Sequence, residues 1–266
     1  MGKKYLLSHH KNNGKIGNDS ADLNSYFELG WELISTGLWA KCNVTSDDTV
    51  ISARDRLFMY KHLTDKLVAY EDYSITGEEV DIASRHWDLT VDYNSREWSD
   101  DENQKMSQIE LSDFEIPNKQ FVCIQVRRRD HCDYRNGNID IFEKTIRNIS
   151  QKYPVFVVGK MNEHLSAIPN VECVNLEKYC FLIRSKKCAV SIGISSGCSM
   201  LNHLYGREGL PVFIRWTETA SNIRLKHENH ILFFGDKINV ANVEEHIYAS
   251  DDMFDKVEML LDIHSK

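Results

Sequence analysis

Several features that define other classes of protein are scarce or missing in this sequence. It contains only 4 prolines among 266 residues, no internal repeat and no low-complexity tract. Its 32 basic residues are outnumbered by 40 acidic ones, and the net charge of -8 disfavours nucleic-acid binding, which usually accompanies a basic excess. No apolar run approaches the roughly 18 residues of a membrane-spanning helix. These absences favour a globular protein without a nucleic-acid partner and without a membrane span.

The spacing of the cysteines argues against a zinc-binding protein. The 7 cysteines include no Cys-x-x-Cys pair, and we find no zinc-binding pattern. Cys123 and Cys188 fall in apolar runs, which predicts small core residues in a reducing compartment. Residues 1–8 contain too short an apolar run for a secretory signal peptide. We therefore expect a cytoplasmic protein, whose oligomeric state the sequence leaves open.

The sequence alternates short apolar strands with amphipathic helices, which is typical of parallel α/β sheets. In the first half, strands are predicted at 3–8, 49–52, 67–70 and 80–83, with helices at about 23–34 and 53–66. In the second half, strands are predicted at 121–126, 154–158, 171–174, 188–192 and 210–214, with helices between them. Residues 94–118 are poor in apolar side chains and predict a connection, with one helix near 106–111. The predicted fold is therefore α/β.

The strand predicted at 121–126 ends in a concentration of positive charge. Arg127, Arg128 and Arg129 follow it directly, and Asp130 comes next. Ligands of parallel α/β sheets bind outside the carboxyl ends of the strands. Each guanidinium offers a planar set of donors that matches a phosphate, so this position predicts an anion site. The alternative is a solvated charge cluster in which Asp130 forms a salt bridge at the strand end.

A second candidate anion site follows the strand predicted at 188–192. Ser195, Ser196, Gly197 and Cys198 lead from this strand into a helix. The free N–H groups and the dipole at a helix N-terminus bind anions, although a serine there is also an ordinary N-cap. Because both motifs follow strands of what we predict to be one sheet, they can share one crevice. Together they favour a nucleoside-diphosphate site.

Other nucleotide-binding signatures are missing. The polar segment between the first strand and the first helix carries Gly14 and Gly17, but it matches neither the G-x-G-x-x-G fingerprint nor a P-loop. A dehydrogenase with a dinucleotide cofactor is therefore the weaker hypothesis.

The arginine motif resembles a known sequence pattern. Gln125-Val-Arg127-Arg128-Arg129-Asp130 is similar to the His-x-Arg-Arg-x-Asp motif of the alpha-1,2-, alpha-1,6- and protein O-fucosyltransferase superfamily. Residues 188–205 resemble that family's later motif, in which two serines precede a helix and contact the donor phosphates. The segment Gly14-Lys-Ile-Gly17-Asn18-Asp19 resembles its early Gly-x-x-Gly-Asn-Gln loop. The three motifs occur in the family's order, and the resemblance covers mainly residues 119–214.

This resemblance implies a GT-B fold, in which two Rossmann-like domains with mainly parallel sheets face each other across a cleft. It implies that domain 1–115 serves the acceptor, that domain 116–266 binds the donor, and that the last helix packs back on the first domain. It also implies inverting transfer without a metal ion or other cofactor. The expected partners are a nucleotide-sugar donor, GDP-fucose in this family, and a glycan acceptor.

The resemblance further implies roles for individual residues. Arg127 or Arg128 would neutralise charge on the leaving diphosphate, and Asp130 would orient these arginines. The implied donor-binding residues are Gln125, Arg129, Ser195, Ser196, Gly197, Cys198, Gly14, Gly17 and Asn18. A general base must come from the first domain, and we expect Asp19, with Glu71, Asp72 and His10 as alternatives.

Departures from the family pattern keep other hypotheses open. Gln125 replaces the motif histidine, which lies near the donor base in the family, and Asp19 stands where the family often has glutamine. The family's middle motif has no match here. A rhamnosyl, heptosyl or other nucleotide sugar is therefore an alternative donor. A non-catalytic nucleotide- or glycan-binding protein of the same fold is an alternative function.

Overall fold

The computed structural model describes residues 2–7, 29–72, 81–83, 99–126, 139–159, 162–194, 197–210, 212–215 and 261. In these ranges the chain is a mixed α/β protein with two sheets of parallel strands, as the sequence predicts. The chain divides into two compact units, Met1–Leu111 and Ser112–Lys266. Among the described residues, no helix is long and apolar enough to cross a membrane.

The first unit contains a four-stranded parallel sheet of order β3-β2-β1-β4. Its strands are β1 (Lys4–Leu6), β2 (Thr49–Ser52), β3 (Leu67–Ala69) and β4 (Asp81–Ile82). Its helices are α1 (Leu29–Ile34), α2 (Thr36–Asn43) and α3 (Asp100–Ser107), with 3-10 helices at Arg54–Tyr60 and Tyr70–Asp72. The central strands are apolar and buried, because residues in the middle of a parallel sheet face packed layers on both sides.

Helix α2 is an element that the sequence pattern does not predict. It starts directly after α1, where the Thr36 hydroxyl donates a buried hydrogen bond to the carbonyl of Leu7, just beyond β1. The Trp39 ring meets the ring of Tyr5 edge-on, with centroids 5.0 Å apart. These contacts fix α2 against the first strand of the sheet.

Helix α3 lies earlier in the chain than the helix predicted near 106–111. It begins at a capping box, in which the Glu102 N–H donates to the Ser99 hydroxyl and the Ser99 N–H donates to the Glu102 carboxylate. The Lys41 ammonium group donates to the carbonyls of Met106 at 2.8 Å and Gln108 at 2.6 Å, which ties the end of α3 to α2. The capping box therefore determines where this helix begins.

The structure of residues 53–66 also differs from the single helix that the sequence predicts there. It forms a 3-10 helix over Arg54–Tyr60 followed by a turn, and the Arg56 N–H donates to the Ala53 carbonyl, three residues back, at 2.9 Å. Short 3-10 segments commonly connect other elements. Here the segment links β2 to β3 and carries two side chains into a buried polar cluster.

The second unit contains a five-stranded parallel sheet of order β7-β6-β5-β8-β9. Its strands are β5 (Phe121–Gln125), β6 (Val155–Val158), β7 (Val171–Val174), β8 (Cys188–Ile194) and β9 (Val212–Arg215). Its helices are α4 (Ile139–Ser150), α5 (Leu176–Ile183) and α6 (Gly197–Tyr205), with a 3-10 helix at Glu163–Ala167 where the sequence predicts a short helix.

The core of the second unit explains the apolar pattern of its sequence. Phe142, Ile146 and Ile149 repeat at helical spacing along α4 and pack in one buried cluster with Ile124 and Val126. Leu261 belongs to the same cluster, but the rest of the last helix, which the sequence predicts at about 250–264, lies outside the described residues. The packing of that helix on the first domain therefore stays a prediction. As predicted, Cys123 and Cys188 are completely buried.

A buried ion pair lies at the carboxyl end of β2 in the first unit. The Arg56 guanidinium donates to one Glu32 carboxylate oxygen at 2.6 Å, and both side chains are almost fully buried. The other oxygen accepts hydrogen bonds from the hydroxyls of Ser52 at 2.6 Å and Tyr60 at 2.7 Å. Both carboxylate oxygens thus have hydrogen-bond partners, and the carboxylate joins α1, β2 and the 3-10 helix.

The neighbouring Arg54 provides a matched comparison for this ion pair. It pairs with Asp72 at 2.5 Å, but both side chains are about 60% exposed. We expect Arg56→Met to lower the free energy of unfolding by about 3–5 kcal/mol, because Glu32 is left buried without its counter-charge. Arg54→Met should cost less than about 1 kcal/mol. Chemical denaturation of both variants tests this, and equal losses would contradict a role for burial.

His62 follows the 3-10 helix and is half-buried, with both ring nitrogens shielded from solvent. Neither ring nitrogen has a hydrogen-bond partner in the described part of the chain. Burial, with a smaller contribution from the charge of Lys41, lowers the pKa of His62 to about 4. The folded protein therefore binds a proton at this position less readily than the unfolded chain, whose histidines titrate near 6.5.

Stability should accordingly fall as the pH drops from about 6.5 towards 4, since only the unfolded state takes up the proton in that window. We expect the wild type to lose about 1–2 kcal/mol more than His62→Gln between pH 7 and pH 5. Denaturation of both proteins at the two pH values measures this difference. Equal losses would show that other groups dominate acid sensitivity.

Candidate functional site

The order of strands in the second sheet brings two predicted motifs to one place. From β5 the chain proceeds outward to β6 and β7, then returns to the other side of β5 to form β8 and β9. The direction of winding reverses between β5 and β8, which pair in parallel from Phe121↔Cys188 to Ile124↔Ile192. Open α/β sheets bind ligands outside the carboxyl ends of the strands at such a reversal. The strands before the arginine motif and the serine motif are thus direct neighbours.

Five of the predicted site residues lie in the described part of the structure: Gln125, Gly197, Cys198 and the alternative bases Glu71 and Asp72. Gln125 is the last residue of β5, and Gly197 and Cys198 are the first two residues of α6, which starts three residues after the end of β8. The other predicted site residues lie outside the described residues, and their roles stay predictions: Arg127, Arg128, Arg129, Asp130, Ser195, Ser196, Gly14, Gly17, Asn18, Asp19 and His10.

Gln125 is not a surface residue but part of a buried polar network. Its side chain is 1% exposed, and its amide nitrogen donates a short hydrogen bond to the hydroxyl of Tyr179 on α5. The same hydroxyl lies 2.8 Å from the Ser191 hydroxyl on β8 and 2.8 Å from the Asn202 side-chain oxygen on α6. One hydroxyl therefore connects β5, β8 and α6, the three elements at the reversal.

The donors and acceptors in this network can be assigned by counting protons. The hydroxyl of Tyr179 has one proton, which it donates to the oxygen of Asn202. Its lone pairs then accept from the amide of Gln125 and from the hydroxyl of Ser191. Burial raises the pKa of Tyr179 well above its usual value, so the phenol stays protonated. The network therefore remains neutral.

Gly193 on β8 leaves room for the amide of Gln125. A Cβ atom at Gly193 would lie 2.8 Å from the Gln125 amide oxygen and 3.2 Å from its Cβ and Cδ atoms. The same oxygen is buried and has no hydrogen-bond partner within the described residues. The glutamine is thus held from one side by Tyr179 and packed tightly against bare backbone on the other.

A second buried amide lies beside the end of β5. The Asn162 side chain is 1% exposed, and its nitrogen donates to the carbonyl of Val126 at 3.0 Å. Gly159 approaches the same carbonyl with φ +138°, and a Cβ there would lie 2.1 Å from the Val126 oxygen. Backbone in this region of φ strongly favours glycine. Asn162 and Gly159 therefore fix the residue that directly precedes Arg127.

The alternative general bases Glu71 and Asp72 are engaged with Arg54. The Arg54 N–H donates to the Glu71 carboxylate at 3.0 Å, and the Arg54 guanidinium donates to Asp72 at 2.5 Å. Both contacts are exposed to solvent. In the described ranges, no group of three or more His, Cys, Asp or Glu side chains is placed to hold a metal ion.

Sequence patterns do not identify Tyr179, Ser191, Asn202 and Asn162 as parts of this site. Tyr179 occupies an inward position of an amphipathic helix, where an aromatic residue is expected in the core. Its partners are 54, 12 and 23 residues away in the chain. Only the order of the strands brings them together.

Comparisons with known proteins give no further assignment. No protein-family model matches the chain, and no significant match is found among curated proteins or solved structures.

The close contact between Gly193 and Gln125 can be tested by a double-mutant cycle. We expect Gly193→Ala to lower the free energy of unfolding by about 1–3 kcal/mol, because the added methyl group displaces the amide of Gln125. In a Gln125→Ala background the same change should cost less, and the difference is the coupling energy of the two positions. Chemical denaturation of the four proteins measures it. Additive losses would place the cost of the methyl group elsewhere.

Proposed function

We propose that this chain is an inverting, metal-independent glycosyltransferase that moves a sugar, with fucose from GDP-fucose as the first candidate, to a hydroxyl of a glycan. The adjacency of β5 and β8 is the observation that carries the proposal. It supports a single site for the diphosphate of the donor, because both motifs that suit phosphate follow these two strands.

The two motifs would divide the phosphate oxygens between them. Arg127 and Arg128 continue the chain two and three residues after Gln125, and their guanidiniums suit bidentate binding of a phosphate. Residues 195–198 lead into the nine-residue helix α6, whose first turn supplies free backbone N–H groups and the positive end of the helix dipole. A chain with net charge -8 would thus concentrate positive potential at this position.

The proposed reaction is a single displacement at the anomeric carbon. The acceptor oxygen attacks this carbon and forms the new glycosidic bond while the bond to the phosphate oxygen breaks. The nucleoside diphosphate leaves with the electron pair, and the hydroxyl proton passes to a general base. Arg127 or Arg128 stabilises the charge that grows on the leaving oxygen, and Asp130 orients the arginines. The configuration at the anomeric carbon is inverted.

The first unit would supply the acceptor side, as in a GT-B enzyme. Its sheet order β3-β2-β1-β4 also reverses its winding, between β1 and β4, which supports a second Rossmann-like domain. The segment with Gly14, Gly17, Asn18 and Asp19 follows β1 in the sequence, before α1. Asp19 is our candidate for the general base.

A second candidate function keeps the fold and changes the donor. Gln125 stands in the position of the family's histidine, and its amide is held by Tyr179. The absence of that histidine leaves the donor open to another base or sugar, such as a rhamnosyl or heptosyl nucleotide. A non-catalytic binder of the same fold would bind a nucleotide but would not turn over a donor.

A thermal-shift screen with GDP, UDP, ADP, CMP, dTDP and GDP-fucose tests the proposed site. A ligand at 100 times its Kd stabilises the native state by about 2.7 kcal/mol, which raises the melting temperature measurably. We expect Arg127→Ala and Arg128→Ala each to weaken binding of the selected diphosphate at least about tenfold, since each removes a charged donor worth about 1.5–3 kcal/mol. Transfer activity should fall with both variants.

The matched control for these variants is Arg147→Ala. Arg147 lies on α4 of the same unit, where it forms an exposed pair with Glu143 at 2.6 Å. This variant should bind the nucleotide as the wild type does. If Arg127→Ala and Arg128→Ala also retain wild-type affinity, the phosphate assignment is wrong. Binding without turnover for any sugar nucleotide would favour the non-catalytic alternative.

A further inference from the structure

We infer that Tyr179 is a positioning residue for the diphosphate site, because its hydroxyl joins the strand that leads to the arginines to the helix whose N-terminus forms the other half of the site. The inference rests on the proposed function and assigns a role to a residue outside the sequence motifs.

The hydrogen bonds of the Tyr179 hydroxyl all lead to elements other than its own helix. The ring is completely buried, and the hydroxyl bonds to Gln125 on β5, Ser191 on β8 and Asn202 on α6. Gln125 lies two residues before Arg127, and Asn202 lies five residues after the start of α6. The hydroxyl is therefore a shared partner of both halves of the proposed site.

Packing alone does not require this hydroxyl. A phenylalanine would fill nearly the same volume, and a buried hydroxyl must regain in hydrogen bonds what it loses by leaving water. The three bonds do this, and they also restrict the positions of their partners to within normal hydrogen-bond distance. Apolar surfaces slide past one another more freely. A misplacement of about 1 Å at a reacting site can reduce activity by about 100-fold, so such a restraint has a functional effect.

The test is the affinity of Tyr179→Phe for GDP and for GMP, measured by calorimetry below the melting temperature of the variant. The β-phosphate distinguishes the two ligands, so the ratio of their Kd values reports how well the two halves act together. We expect Tyr179→Phe to weaken GDP binding about tenfold and GMP binding less than about threefold. If the thermal-shift screen selects another base, the matching diphosphate and monophosphate replace GDP and GMP.

The control is Phe142→Leu, a core change in the cluster that contains Ile124 and Val126. Side chains alternate along a strand, so this cluster lies on the opposite face of β5 from Gln125. Phe142→Leu also lowers stability, but it should leave the ratio of Kd values unchanged.

Three results would overturn the inference. If Tyr179→Phe keeps the wild-type ratio, the hydroxyl serves stability only. If Phe142→Leu changes the ratio equally, the effect follows from lost stability. If the wild type binds no nucleotide, the proposed function fails together with the inference. If Tyr179→Phe does not fold, Ser191→Ala replaces it, because this change removes a single bond of the network. A change of about threefold in the ratio of Kd values would then support the inference, and an unchanged ratio would overturn it.

Discussion

The parallel pairing of β5 with β8 is the constraint on which the second unit depends. These strands are not consecutive in the chain, since α4, β6, β7 and α5 lie between them. Their pairing requires the chain to cross from one side of the sheet to the other. In open parallel α/β sheets, ligands bind outside the strand ends at such a crossing. Without it the two motifs would stand at unrelated strand ends.

Each unit places a buried polar cluster beside the carboxyl end of a central strand. The cluster in the first unit is ionic and centres on Glu32, next to the end of β2. The cluster in the second unit is neutral and centres on Tyr179, next to the end of β5. The first cluster connects the strand end to α1 and to the 3-10 helix that follows β2, and the second connects it to α5 and α6. Because the phenol remains protonated, the neutral cluster gives the second unit a junction that does not change charge near neutral pH.

The sequence predicts the architecture well and the buried polar contacts poorly. Apolar runs such as 121–125 and 155–158 identify parallel strands, because residues in the middle of such a sheet are buried on both faces. The capping box formed by Ser99 and Glu102 can be recognised in the sequence, but it is easily overlooked when the segment is taken only as a run of charges. The 3-10 helix at Arg54–Tyr60 and the separate helix α2 depend on tertiary contacts with Glu32 and Leu7, which have no local pattern.

The residues of the candidate site fall into the same two groups, those that the sequence reveals and those that it does not. The motif residues can be recognised because their chemistry and their positions at strand ends are local properties of the sequence. The partners of Tyr179 cannot, since their meeting depends on which strands are neighbours, and strand order is not encoded in periodicity. Gln125 shows both cases in one residue. Its place in the motif is visible in the sequence, whereas its hydrogen bond to Tyr179 appears only in the folded structure.

Cys123 on β5 and Cys188 on β8 can react with a thiol reagent only when the sheet opens. Cys123 and Cys188 have no exposed surface, and burial raises the pKa of the Cys123 thiol well above its usual value. Since thiolates are the reactive form, an alkylating reagent must wait for the strands to separate. Cys42 in the first unit is exposed, so its labelling does not require the sheet to open. The rate of labelling at Cys123 and Cys188 therefore reports how often the strand pair that forms the proposed site opens.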